Sequence, residues 1–275
     1  PRWVFTLIYQ QNKKPFLYSA QAEWFIIFAA HTLTKFMTLI KSISGIRGTI
    51  GGETGDNLTP IDAVKFAAAY GQWLKNASAK SKLTVVIGRA ARPSGAMIQA
   101  IVQNTLSGLG IDVIDLGLST TPTVEMAVVF ENADGGIILT ASHNPVQWNA
   151  LKLLNEKGEF LNGENGKKIL EIAENDDYIF AEVADLGKVI PKEGLIEKHV
   201  EAVLALPYID VEAIKKANLK VAVDAVNSTG GIAIPILLEK LGVNNPELLY
   251  CEPNGQFPHN PEPLKEHLGD IMKLM

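Results

Sequence analysis

The sequence predicts an α/β fold: two three-layer α/β/α domains in tandem, with mixed, mostly parallel sheets. Three observations carry this. Runs of β-branched residues alternate with stretches of helical period, single helices separate the strands, and one strand–loop–helix unit recurs late in the chain.

Residues 1–36 mix Trp, Tyr, Gln and Lys with no sustained period, and a patterned fold begins at Met37. They are expected to be an upstream or non-native extension, with Met37 as the natural start. Residues 60–74 place Ile61, Val64, Ala68 and Trp73 at helical spacing, with Thr59 as N-cap and Pro60 in the first helical position. Residues 83–87 are a β-branched strand ended by Gly88, and 96–109 are helical up to Gly110. A strand over 111–116, a helix over 121–130 opened by Thr121-Pro122-Thr123, and a strand over 136–140 follow. That last strand is apolar on both faces, as a central parallel strand should be.

A helix over 163–175 precedes a charged stretch of weak period, which sets the domain limits. The first domain is expected over 37–178, a linker over 179–194, and a second domain over 195–275, opening with a helix over 195–204. Within it, Leu219 to Asp224, a loop, Gly231 and a helix ending at Leu241-Gly242 repeat the order of Leu83 to Gly88, a loop, Gly95 and a helix ending at Leu109-Gly110.

The net charge of −5 with no basic stripe argues against nucleic acid, yet leaves room for a phosphorylated substrate held by a few local cations. Cys251 is the one cysteine, so no disulfide framework exists within the chain and a reducing cytoplasm is expected. The apolar run over 24–30 is shorter than the roughly 20 residues that span a bilayer, so no membrane is expected as a partner.

Candidate chemistry begins at Thr140-Ala141-Ser142-His143-Asn144-Pro145, directly after the central strand. Open α/β sheets gather their sites where parallel strands end. Asn144-Pro145 stops the chain from continuing as a strand, and small Ala141 lets a ligand approach. The residues alone allow two readings, an exposed nucleophile or phosphate loop, or a turn with a capping serine. Lys152 follows within Asn149-Ala150-Leu151-Lys152, and Arg47 stands between glycines in Gly45-Ile46-Arg47-Gly48, where flexible backbone would let its planar fork reach phosphate oxygens.

Together these segments resemble the α-D-phosphohexomutase superfamily, which includes phosphoglucomutase, phosphomannomutase and phosphoglucosamine mutase. The 140–145 loop with Asn149 to Lys152 resembles its phosphoserine loop, and Gly45 to Gly48 its arginine loop. Gly88-Arg89-Ala90-Ala91-Arg92-Pro93-Ser94-Gly95 resembles its Gly-Arg-Asp-x-Arg-x-Ser loop, and Asp224 to Gly231 the second-domain counterpart. Gly255-Gln256-Phe257-Pro258-His259-Asn260-Pro261-Glu262-Pro263 resembles the Pro-rich segment ahead of the metal loop. Ala90 replaces the usual aspartate, which is expected to weaken loop order, and Ala150 replaces a glycine.

The resemblance implies that Ser142 carries a phosphoryl group between the 1- and 6-positions of a hexose phosphate, through a hexose 1,6-bisphosphate that also serves as activator. Arg47 and Lys152 are then the cationic and acid–base helpers, His143 lines the loop, and Arg47, Asn144 and Lys152 bind phosphate. Mg2+ would touch the phosphoryl oxygen on Ser142. The family's Asp-x-Asp-x-Asp metal loop is found nowhere in the sequence, so the resemblance implies that the second domain, 195–275, is truncated, and a fragment inactive by itself is expected. The wording of the amino-terminal segment points to phosphoglucosamine mutase, with phosphoglucomutase/phosphomannomutase as the alternative.

A serine hydrolase is disfavoured, because adjacent Ser142 and His143 point apart in extended chain and no Gly-x-Ser-x-Gly elbow exists. A non-catalytic sugar-phosphate-binding protein is the remaining alternative. No P-loop or dinucleotide glycine fingerprint is present.

Overall fold

The computed structural model describes residues 37–42 and 45–274. The proposed extension over 1–36 lies outside the described residues. Residues 38–275 form one compact unit.

A seven-stranded sheet organises it. Its strands are β1 (Ile40–Ser42), β2 (Gly45–Thr49), β3 (Thr84–Arg89), β4 (Asp112–Leu118), β5 (Gly135–Leu139), β6 (Trp148–Leu154) and β7 (Val189–Pro191). Their spatial order is β1-β2-β6-β5-β3-β4-β7. The pairs β5–β3, β3–β4 and β4–β7 are parallel, while β1–β2, β2–β6 and β6–β5 are antiparallel.

Both faces are covered. Because successive strand residues face opposite ways, Val85, Ile87, Ile137 and Leu139 meet one set of helices and Val86 and Ile138 the other. The first set is α1 (Pro60–Ala77), α2 (Gly95–Gly108) and α4 (Gly163–Asn175), packed through Phe66, Tyr70, Val102, Leu106 and Ile169. The second set is α3 (Thr121–Phe130), packed through Val124, Ala127 and Val128, with Leu195 at the start of α5 (Leu195–Leu204).

Helix α1 begins where the sequence signals it. The Thr59 hydroxyl accepts from the Asp62 amide while the Asp62 carboxylate accepts from the Thr59 amide, a complete capping box, with Pro60 in the first turn. Two departures from the sequence reading stand out. Residues 148–154 form a full strand that the reading left unassigned. The 179–194 segment, expected as a linker, supplies β7 at the sheet edge, paired with β4 through Val113 and Ile114.

The late α/β unit contains α6 (Val211–Ala217), β8 (Ala222–Asp224), α7 (Gly230–Lys240), β9 (Glu247–Leu249) and α8 (Gly269–Leu274). Strands β8 and β9 make a two-stranded parallel sheet, and helix α7 follows β8 as the repeat predicts. Its core is thin: Leu238 and Val243 are buried, while Leu219 and Leu248 are about half exposed.

Candidate active site

The register of β2, β6 and β5 decides which side chains meet. Arg47 pairs with Ala150, and Lys152 pairs with Ile138 one residue before the end of β5. Residues two apart share a face, so Arg47, Ala150 and Lys152 line one side of the sheet. Arg47 therefore stands on a paired strand, where the sequence reading expected a flexible loop. Gly45 makes this possible: its φ is +121°, and a Cβ there would collide with the Leu151 carbonyl oxygen.

Ser142 follows β5 by three residues. It is exposed, and its φ of +54° lies in the left-handed region, which costs a non-glycine residue about 1–3 kcal/mol. Arg47, Ser142, His143, Asn144 and Lys152 all line one cleft of about 190 Å3, with Ala150 in its wall and Phe160 at its side. The structure thus brings together every sequence-predicted site residue. Asn144 is also committed locally, since its side-chain amide donates to the Ala141 carbonyl at 2.8 Å.

What holds Ser142 in its strained conformation is Arg92, which the sequence reading placed in a motif without a role. Arg92 is 2% exposed. Its guanidinium donates to four carbonyl oxygens of the seryl loop: Ser142 at 2.8 Å, Asn144 at 2.7 Å, Pro145 at 2.8 Å and Trp148 at 2.9 Å. Burial pushes this group down to about 10, so it stays charged at neutral pH. The loop is also pinned by the Ser142 amide donating to the Thr140 hydroxyl (3.2 Å) and by buried Asn149 donating to Ser94 (3.0 Å).

The loop that holds Ala90 is tied down through its backbone. The Ala90 amide donates to the Leu139 carbonyl, the Gly95 amide donates to the Arg92 carbonyl, and the Ala91 amide donates to the Ser228 hydroxyl. Nearby, Arg89 donates to Gln99, which in turn donates to Asp115.

The electrostatics centre on Lys152. Burial pushes its ammonium below the ordinary lysine value, Glu125 opposes this, and Arg47 adds to the lowering. The ammonium also lies 5.7 Å from the Phe160 ring centroid. Two cations facing one small cleft, with a serine hydroxyl at its mouth, suit a dianionic oxygen cluster.

Among the described residues no group of three or more His, Cys, Asp or Glu could hold a metal ion. Magnesium takes carboxylates and phosphate oxygens, and no carboxylate lines the Ser142 cleft. The residues present do not fit such a site.

Residues 39–179 match the family model for phosphoglucomutase/phosphomannomutase, alpha/beta/alpha domain I, and residues 197–275 match that for domain II. The chain belongs to the phosphoglucomutase/phosphomannomutase family. It is 37% identical over 231 residues to a phosphoglucomutase/phosphomannomutase of Thermococcus kodakarensis, covering 83% of this chain and 50% of that protein. It is 32% identical over 200 residues to a phosphoglucosamine/phosphogalactosamine mutase of Sulfurisphaera tokodaii, covering 72% and 41%. A crystal structure from Thermus thermophilus superposes with a TM-score of 0.73 at 28% identity, over 86% of this chain and 51% of that one. The chain thus spans about half the length of the relatives it matches. Membership in this phosphohexomutase family, an isomerase family, bears out the resemblance and the α/β fold class read from the sequence. Among the described residues no helix is long and apolar enough to cross a membrane.

Proposed function

We propose that this chain is the phosphoserine-bearing half of a phosphohexomutase, in which Ser142 takes a phosphoryl group from one position of a hexose phosphate and returns it to the other. The observation that carries the reading is the shared cleft of Ser142, Arg47 and Lys152. In the forward step a sugar hydroxyl oxygen bonds to phosphorus as the Ser142 Oγ–P bond breaks. The sugar hydroxyl loses its proton and Ser142 Oγ regains one. The product is a hexose 1,6-bisphosphate, which turns over and gives its other phosphoryl group back to Ser142.

Transfer of this kind depends on positioning and charge compensation. Arg47 offers a fixed fork on a paired strand, and Lys152 a point charge whose lowered proton affinity suits proton exchange at Ser142 Oγ. His143 lines the same cleft. Asn144 contributes chiefly by holding the turn. Magnesium in the whole protein is part of this reading, with ligands from outside these residues. A cytoplasmic location suits the reading.

For the sugar we propose a glucosamine phosphate, a choice supported by the Sulfurisphaera relative's name. Glucose or mannose phosphate is the second reading, favoured by the name of the 37%-identical Thermococcus relative. In the whole protein, Ser142→Ala should abolish incorporation of label from a labelled hexose bisphosphate. Label retained at the wild-type level would place the nucleophile elsewhere. Comparing kcat/KM for the three sugar phosphates then decides the substrate.

A further inference from the structure

The cleft explains Arg47 and Lys152 but not why the late α/β unit reaches back to the seryl loop. Phe257, half-buried in the segment after β9, places its ring centroid 5.2 Å from the guanidinium carbon of Arg92. Beside it, Gly255 is buried with φ +74°, and a Cβ there would collide with the Ala91 carbonyl oxygen. That segment is held from behind by the loop after β8. Asn227, at φ +51°, donates from its side chain to the Gln256 carbonyl at 2.9 Å and accepts from the Gly255 amide at 2.9 Å. The loop after β8 therefore holds Gly255 and Gln256 through Asn227, the next residue along the chain is Phe257, and Phe257 meets Arg92, which bonds Ser142.

We propose that Phe257 and Arg92 form a latch, through which the late α/β unit fixes the left-handed backbone of Ser142. Arg92 spends four donors on loop carbonyls, and Phe257 closes the open face of its planar group. An aromatic face over a desolvated guanidinium attracts it and keeps water from competing for those donors. Arg92 and Phe257 are positioning residues, acting on the sugar phosphate only through Ser142. The consequence for catalysis rests on the reading of Ser142 given above, but the latch can be measured without any transfer.

The test uses the 275-residue chain and two readouts: amide hydrogen exchange by NMR, and the Cα chemical shift of Ser142, which reports a left-handed backbone. Phe257→Ala should exchange the Asn144 and Trp148 amides roughly tenfold faster and move the Ser142 shift, with helix Pro60–Ala77 unchanged. Phe257→Leu, which keeps the bulk without the aromatic face, should behave like the alanine variant and decides the matter if that variant fails to fold. Phe257→Tyr should restore wild-type values, and Arg92→Lys should fail to do so. Wild-type exchange and shift in Phe257→Leu, or faster exchange shared by helix Pro60–Ala77, would overturn the latch. Loss of the latch with label still reaching Ser142 in the whole protein would separate this proposal from the functional one.

Discussion

Ala150 lies directly opposite Arg47 across an antiparallel pair, and the two line one cleft space with Lys152. Filling that space tests the cleft as an anion site. Ala150→Leu should weaken binding of inorganic phosphate about tenfold while costing about 1–3 kcal/mol of stability from overpacking. Calorimetric titration beside thermal melting separates the two effects. Unchanged affinity in a folded variant would count against the cleft.

Arg92 is a larger structural liability. Arg92→Met removes the donors to four loop carbonyls and should cost about 3 kcal/mol or more, as expected when buried acceptors lose a charged partner. Urea denaturation followed by circular dichroism measures it. A loss under about 1 kcal/mol would mean the loop holds itself.

A pH dependence follows from His259, which faces the Asp224 carboxylate at 2.8 Å and the Asn260 carbonyl at 2.8 Å. Burial alone would lower its proton affinity, but those hydrogen bonds and the charges of Asp224 and Asp270 together outweigh burial and leave the imidazole above its ordinary 6.5. A group raised on folding stabilises fully below its unfolded value and loses that contribution as pH climbs through the folded value. The stability gap between wild type and His259→Gln should therefore be widest below 6.5 and close as the solution becomes alkaline. Urea midpoints across pH check this, and a gap that widens with pH would contradict it.

Val226 sits at φ +50°, a region that disfavours a β-branched side chain. Val226→Asn should stabilise the chain by about 1 kcal/mol, seen as a melting-temperature rise of about 2–4 °C. A lower melting temperature would show that the valine side chain contributes more through packing than its backbone loses.

The parallel strands and their helices were legible because β-branched runs and helical period agree with the fold at each point. Thr59 and Pro60 announced a helix start, and the structure has Thr59 as N-cap with Pro60 in the first turn. Strand β6 was hidden because Asn149 and Lys152 interrupt its apolar pattern: Asn149 is buried but bonded to Ser94, and Lys152 faces the cleft. The paired state of Arg47 was hidden too, since two flanking glycines read locally as a loop, and its strand partner comes from far along the chain. Strand β7 is three residues in a charged stretch, too short to show a period. The burial of Arg92 could not be read locally, because a guanidinium enters a core only where distant carbonyls receive it.

The two cations and the serine are set by chain segments about a hundred residues apart in sequence, and closures of that span come late in folding. During translation the amino-terminal hairpin bearing Arg47 leaves the ribosome well before the strand it must join. Until then β2, paired with β1 on one side, has its other edge open to other partners. Slow prolongation or a pause in synthesis between the two would favour misassembly, so yield in a host should respond to codon choice over residues 50–148.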